Sequence, residues 1–141
     1  FHIGRAVELL RPEYILSEAI PRAELSRLLG LAVHAFHPRH VRSASEAVAA
    51  WRRELPYRAV KRLSDLLREL ADVEFSTGVW RRAVRRAGNR AGLLLAADLA
   101  AARAALESLG GDEVAADVED LARFWLSAEA GAIADRVRPP Q

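Results

Sequence analysis

Gly78-Val-Trp-Arg-Arg-Ala-Val-Arg-Arg-Ala-Gly-Asn-Arg-Ala-Gly-Leu-Leu-Leu95 is the stretch around which the rest of the chain is organised. Its apolar residues recur at spacings of four and three, which predicts one helix with a buried stripe of Trp80, Val84, Ala87, Ala91 and Leu94. The arginines and Asn89 fall on the opposite side. Gly88 and Gly92 each cost this helix roughly 1 kcal/mol relative to alanine. Two such costs predict that another segment packs very close to the helix backbone.

Helix boundary signals divide the remaining sequence. Pro12, Pro21, Pro38 and Pro56 end or begin helices, because proline is tolerated only in the first turn and disfavours helical geometry in the residue before it. The expected inward-facing leucines of the helices after Pro21 and Pro56 are Leu25, Leu28, Leu29, Leu63, Leu66, Leu67 and Leu70.

Capping residues set the other boundaries. Ser43 with Glu46 reads as a capping box, and Ser76-Thr77 caps the central helix. Asp98 caps a helix that ends at Gly110-Gly111, and Asp112 and Ser127 cap the last two. No window alternates as strands do, and no period of 30 to 45 residues repeats. The sequence therefore predicts an all-α fold, an irregular bundle of about seven helices, with residues 1–141 forming a single helical domain.

Composition narrows the class of protein. Of the 141 residues, 51% are hydrophobic, which is enough for one core. The absence of cysteine excludes disulfides, thiolate metal ligands and a cysteine nucleophile. The chain contains no methionine and opens on Phe1 within a helix, so we expect a fragment of a larger protein. It has neither a membrane-length apolar run nor a signal peptide, so we expect a soluble, cytoplasmic protein without membrane contact.

The arginine-rich face of the central helix has two interpretations. Of the 21 basic residues only Lys61 is a lysine, and such an excess of arginine is typical of a GC-rich coding sequence. The 19 acidic residues are interspersed with the basic ones. The face could bind the phosphates of a nucleic acid. It could equally form ion pairs with a protein partner or with acidic residues of neighbouring helices, such as Asp65, Glu69, Asp72 and Glu74. No aromatic residues interleave with these arginines for base stacking. The candidate anion- or partner-binding residues are Arg81, Arg82, Arg85, Arg86 and Arg90.

The sequence gives weaker evidence for a metal site, a carboxylate site, a nucleophile or a phosphate-binding loop. His34, His37 and His40 are spaced three and three, but Pro38 breaks the helix between the last two, so we favour a role at the helix end over a metal site. Glu113, Asp117 and Asp120 share one helix face, which predicts a solvated surface. No nucleophile elbow and no phosphate-binding glycine loop is present.

The segment from Asn89 to Leu99, Asn-Arg-Ala-Gly-Leu-Leu-Leu-Ala-Ala-Asp-Leu, resembles the Ala-Asp-Arg-Ala-Gly-Leu-Leu region of gluzincin zinc metallopeptidases of the heat-shock and prenyl-protein endopeptidase type. In that family two histidines and a glutamate hold zinc, and a second glutamate activates the bound water. The resemblance places Asn89 at the family's aspartate and Arg85 at the zinc-binding glutamate. It places Arg5 and Leu9 at the two histidines and Ala6 at the catalytic glutamate.

These vestigial-site positions imply that catalysis, metal and cofactor are all lost, because neither a guanidinium nor an isobutyl group ligates zinc. In this register Arg5 and Arg85 enter the gap between two facing helices. Two like charges there would repel each other, so we expect carboxylates from Glu8 or from another helix to intervene.

Three further patterns resemble C-terminal regions of myxobacterial tetratricopeptide-repeat proteins: Gly4-Arg-Ala-Val-Glu-Leu-Leu-Arg-Pro-Glu13, the stretch from Trp80 to Leu95, and Asp120-Leu121 followed by Phe124 and Ser127. The resemblance implies a scaffold without an assigned activity. We therefore expect a non-catalytic protein–protein interaction domain with a protein partner. The alternative is a nucleic-acid- or phosphate-binding module that uses the Arg81–Arg90 face.

Overall fold

The computed structural model describes residues 1–37, 45–69 and 76–137. The chain forms two compact units. The first unit consists of residues 1–19 and of the chain from Gly78 onward, and the second is Ile20–Thr77. The single domain over residues 1–141 stays a prediction.

Every regular element in the described ranges is an α-helix, which confirms the predicted all-α class. Nine helices occur there, close to the predicted seven, and the short helix Ile15–Ala19 is one that the boundary signals did not identify. They are α1 (His2–Leu9), α2 (Ile15–Ala19), α3 (Arg22–Phe36), α4 (Glu46–Glu54), α5 (Tyr57–Glu69), α6 (Thr77–Ala96), α7 (Leu99–Leu109), α8 (Val114–Trp125) and α9 (Ala128–Val137).

Helix α1 packs directly on the backbone of α6 in the first unit. A Cβ added to Gly4 would lie 2.7 Å from the Ala91 carbonyl oxygen, and one added to Gly92 would lie 2.7 Å from the Phe1 carbonyl oxygen. A Cβ on Gly88 would lie 3.0 Å from Leu9 Cγ. The close approach predicted from two glycines in one helix is therefore present, and α1 is the segment that makes it.

The buried side of α6 is rotated from the predicted stripe. Val84, Gly88, Asn89, Gly92 and Leu93 are buried, whereas Ala87, Ala91 and Leu94 are only half-buried. The assignment of Asn89 to the polar side was wrong, since this residue is 1% exposed. The reason is that α1 covers the glycine-bearing side of α6, which apolar periodicity alone does not identify.

The main hydrophobic core of the first unit lies among α6, α7, α8 and α9. It is built from Leu93, Ala102, Leu106, Leu121, Phe124 and Ala130. At the start of α7, the Asp98 carboxylate accepts hydrogen bonds from the backbone N–H groups of Ala100 and Ala101 at 2.8 and 3.0 Å, as the cap prediction requires. Ser127 Oγ likewise accepts from the Ala130 N–H at 3.2 Å.

Two predicted caps differ from the structure. The N-cap of α8 is Glu113, not Asp112, and its side chain makes no capping hydrogen bond. The N-cap of α4 is Ser45, whose hydroxyl accepts from the Val48 N–H at 3.4 Å. Ser43 lies outside the described residues.

In the second unit, α3 packs against α4 and α5. Phe36 is fully buried and meets the Trp51 ring edge to face at 5.5 Å between centroids. Leu28 and Leu66, predicted to face inward, are 38% and 46% exposed. None of the residues of α5 is fully buried, so this helix covers its neighbours without being enclosed by them. Leu70 lies outside the described residues.

Candidate functional site

Three of the five vestigial-site positions line one cavity in the first unit. Arg5 on α1 and Arg85 and Asn89 on α6 share its wall, and the Arg5 Nε–H donates a hydrogen bond to Asn89 Oδ1 at 3.1 Å. The other two positions lie elsewhere: Leu9 is buried against Gly88, and Ala6 is exposed. The register taken from the resemblance therefore brings Arg5 and Arg85 to one region, as expected.

Carboxylates from the start of α8 pair with Arg85 at this cavity, whereas Arg5 pairs with none among the described residues. Arg85 Nη2 bonds Glu113 Oε2, and Arg85 Nε lies 2.8 Å from Asp117 Oδ2. The Asp117 side chain is only 6% exposed, and that of Arg85 is 32% exposed. Glu8, the other expected partner, instead pairs with Arg11 at 3.0 Å. Two carboxylates thus neutralise Arg85.

A second ion pair joins α6 to α8 one turn further along. Arg90 donates to both carboxylate oxygens of Asp120, at 3.0 and 2.8 Å. Its guanidinium carbon also lies 5.1 Å from the centre of the Phe124 ring, a cation–π contact. Arg86 Nε lies 3.7 Å from Asp120 Oδ1. The interpretation of the face formed by Glu113, Asp117 and Asp120 as a solvated surface was therefore wrong.

The hydrogen bonds that Arg90 donates to Asp120 raise the pKa of Arg90 above its ordinary value; burial opposes this, while the charges of Asp120 and Glu129 add to it. The guanidinium consequently stays protonated throughout the physiological range and acts as a fixed charge. It has no role as a proton acceptor.

The structure describes Asp65, Glu69, Arg81 and Arg82 among the remaining predicted acidic partners and arginines. Asp65 pairs with Arg68 on α5 at 3.1 Å, and Glu69 is exposed. Asp72 and Glu74 lie outside the described residues. Arg81 is half-buried and Arg82 is exposed. An internal ion network was among the predicted interpretations, and the carboxylates that Arg85, Arg86 and Arg90 contact belong to Glu113, Asp117 and Asp120 rather than to Asp65 or Glu69.

The cavity has a volume of about 260 Å³ and lies where α1, α6 and the α7–α8 connection meet. Its polar lining comprises Arg5, Arg85, Asn89, Asp112, Glu113 and Asp117, and its apolar lining includes Leu106, Leu109 and Val114. Asn89 Nδ2 is buried and has no hydrogen-bond partner in the described part of the chain. Buried amide donors are normally paired, so this N–H₂ group lacks the hydrogen-bond acceptor that such a donor usually has.

Of the three histidines at the end of α3, the structure describes His34 and His37. His34 is exposed in the last turn of α3, and the helix ends with His37 as its C-cap, 7% exposed. His40 lies outside the described residues. Across residues 1–37, 45–69 and 76–137, no group of three or more histidine, aspartate or glutamate side chains is placed to hold a metal ion.

An apolar stripe on the outer face of α1 is a feature that we did not single out from the sequence. Ile3, Val7 and Leu10 are 73%, 65% and 66% exposed, while Gly4 on the opposite face contacts α6. Their spacing of four and three was a visible signal, but it is the spacing of any buried helix face. Only the orientation of α1 shows that this stripe faces outward.

No helix in the described ranges is long and apolar enough to cross a membrane. No protein-family model matches the chain, and neither a curated protein nor a solved structure matches it significantly.

Proposed function

We propose that this chain is a non-catalytic protein–protein interaction domain, built on a metallopeptidase-like helical core and carried within a larger repeat-containing cytoplasmic protein. The observation that carries the proposal is the outward-facing stripe of Ile3, Val7 and Leu10 on α1. Amphipathic helices of this kind bind an apolar groove of a partner through side chains one turn apart.

The attachment of α1 to α6 makes this stripe a preorganised surface. Gly4 and Gly92 allow backbone-to-backbone packing, so the partner would meet a helix that is already formed and fixed. Binding then costs less conformational entropy than it would with a flexible segment. Burying three large aliphatic side chains yields on the order of 5 kcal/mol before that cost is subtracted. This amount suits the central cluster of an interface, which polar rim contacts would complete.

Two features support the absence of catalysis. The positions that correspond to zinc ligands hold Arg5, Leu9 and Arg85, none of which is a metal ligand. Arg85 is also tied to Glu113 and Asp117, so those carboxylates are committed to a structural ion pair.

Capture of the partner with a photo-crosslinking residue tests the proposal. The residue is introduced at Val7 in one version of the chain and at Leu126, 85% exposed on α8's C-cap, in a matched version. We expect one discrete adduct from position 7 in the source cell and none from position 126. In the version that carries the crosslinker at position 7, Ile3→Glu should abolish capture, whereas Leu126→Glu should not. Equal capture in these two variants would refute the role of the stripe.

The alternative function is binding of a nucleic acid or phosphate by the Arg81–Arg90 face. Arg82 is exposed and supports it, but Arg85, Arg86 and Arg90 already contact carboxylates of α8. Affinity for a polyanion that falls steeply with salt, and that is lost in the double variant Arg82→Glu/Arg86→Glu, would favour this alternative. Salt-insensitive capture of a protein would favour the first proposal.

A further inference from the structure

The cavity beside Asn89 contains two charges that lack an ionic partner. Arg5 donates its Nε–H to Asn89, but it forms no ion pair with any described residue. Asp112, in the turn before α8, likewise forms no ion pair in the described ranges. The other charged lining residues, Arg85, Glu113 and Asp117, are joined to one another. One uncompensated cation and one uncompensated anion thus line the same cavity.

The donors at the Arg5 side suit a carboxylate. Arg5 keeps both terminal N–H₂ groups available, and a guanidinium binds a carboxylate through two parallel hydrogen bonds. Asn89 is 1% exposed, and its Nδ2 is the unpartnered donor described above. Because Asn89 Oδ1 accepts from Arg5, the amide is oriented by that bond and its N–H₂ group remains for a different acceptor.

A simple anion fits the complete lining poorly. Three carboxylates and two guanidiniums line the cavity, so their formal charge sums to one negative unit. A ligand that carries only negative charge would be repelled by Asp112, whereas one that also carries an ammonium group would be attracted to it. Leu106 and Val114 add an apolar wall. The volume of about 260 Å³ corresponds to roughly nine water molecules, so a small aliphatic amino acid fits and leaves room for water.

We propose that this cavity binds a small zwitterion of the α-amino acid class with an aliphatic side chain. Its carboxylate lies against Arg5 and Asn89, its ammonium group lies against Asp112, and its side chain lies on Leu106 and Val114. The proposal concerns a different surface from the α1 stripe and does not depend on the partner of that stripe.

The test is calorimetric titration of the full chain with L-valine and with two analogues that each lack one charged group, isovalerate and isobutylamine. We expect saturable binding of L-valine and binding at least about tenfold weaker for either analogue, since each loses a charge-assisted contact. Asp112→Asn should weaken L-valine by about tenfold and should strengthen isovalerate, because it removes a charge that repels the isovalerate carboxylate. Arg5→Gln should weaken both ligands. Arg103→Gln, in an exposed pair on α7, is the matched control and should change neither.

Three results would overturn the proposal. Isovalerate binding as tightly as L-valine would identify a simple anion site. Unchanged L-valine affinity in folded Asp112→Asn protein would remove the ammonium contact. Absence of saturable L-valine binding, with the Asn89 side-chain amide resonances unmoved in two-dimensional NMR, would show that the cavity holds only water.

Discussion

Gly4→Ala is expected to destabilise the protein although alanine is the better helix former. The added Cβ would lie 2.7 Å from the Ala91 carbonyl oxygen, 3.0 Å from Leu95 Cβ and 3.1 Å from Gly92 Cα. None of these atoms is the end of a flexible side chain. Helix α1 would therefore have to move away from α6 to accept one methyl group.

The magnitude follows from two opposing terms. Replacing glycine by alanine within a helix gains up to about 1 kcal/mol. Overpacking a close contact costs about 1–3 kcal/mol. With about 1 kcal/mol for the gain and about 2 kcal/mol, the middle of that range, for the cost, we expect a net loss of about 1 kcal/mol in the free energy of unfolding.

Urea unfolding followed by far-ultraviolet circular dichroism measures this loss. Gly131→Ala is the matched control, because Gly131 lies within the ten-residue helix α9 and a Cβ there would meet nothing within 4 Å. It should gain about 0.5–1 kcal/mol, so the two variants should differ in sign. If Gly4→Ala stabilises the protein as much as Gly131→Ala does, then α1 does not pack on α6 at this distance, and the reasoning from glycine to close packing fails.

Three further results are expected. Asp117→Asn should lower the free energy of unfolding by about 2 kcal/mol, measured with heat or urea, because it weakens an ion pair whose carboxylate is buried. Glu119→Gln, in an exposed ion pair, should change the free energy of unfolding by less than about 0.5 kcal/mol. Equal effects of the two substitutions would contradict the buried network. Asp98→Ala should cost about 1 kcal/mol because two N–H groups lose their acceptor; an unchanged urea midpoint would argue against that cap. Because Asp120 raises the pKa of Arg90, the stability that this ion pair contributes is fully present below the unfolded-state pKa of Arg90 and is lost only as pH rises through the still higher folded-state pKa. Between neutral pH and about pH 10, the difference in urea midpoint between the wild-type protein and Arg90→Gln should therefore stay constant.

Local signals predicted most helix boundaries correctly. Asp98 and Ser127 act as caps, and α3 ends before Pro38, because capping and proline geometry involve only a few consecutive residues. The prediction failed at Asp112, where the adjacent Glu113 is the N-cap. Either acidic residue satisfies the same local pattern, and the path of the chain after Gly110-Gly111 decides between them.

The candidate site was predicted in part. The resemblance named Arg5, Arg85 and Asn89 as members of one former site, and the three residues line one cavity in the structure. The carboxylates that pair with Arg85 and Arg90 were missed because Asp117 and Asp120 are spaced like any solvated helix face. Their spacing of three also approaches that of the arginines on α6, and this match was the available signal.

By itself, the sequence determined that the chain is helical, where most helices begin and end, and that α6 must admit a close neighbour at Gly88 and Gly92. These properties follow from backbone geometry within one or two turns. Only the tertiary structure decided which helix fills that approach, that Asn89 is buried, and that Val7 faces outward. The rotation and crossing of packed helices set those outcomes, and both depend on contacts between residues that are distant in the chain.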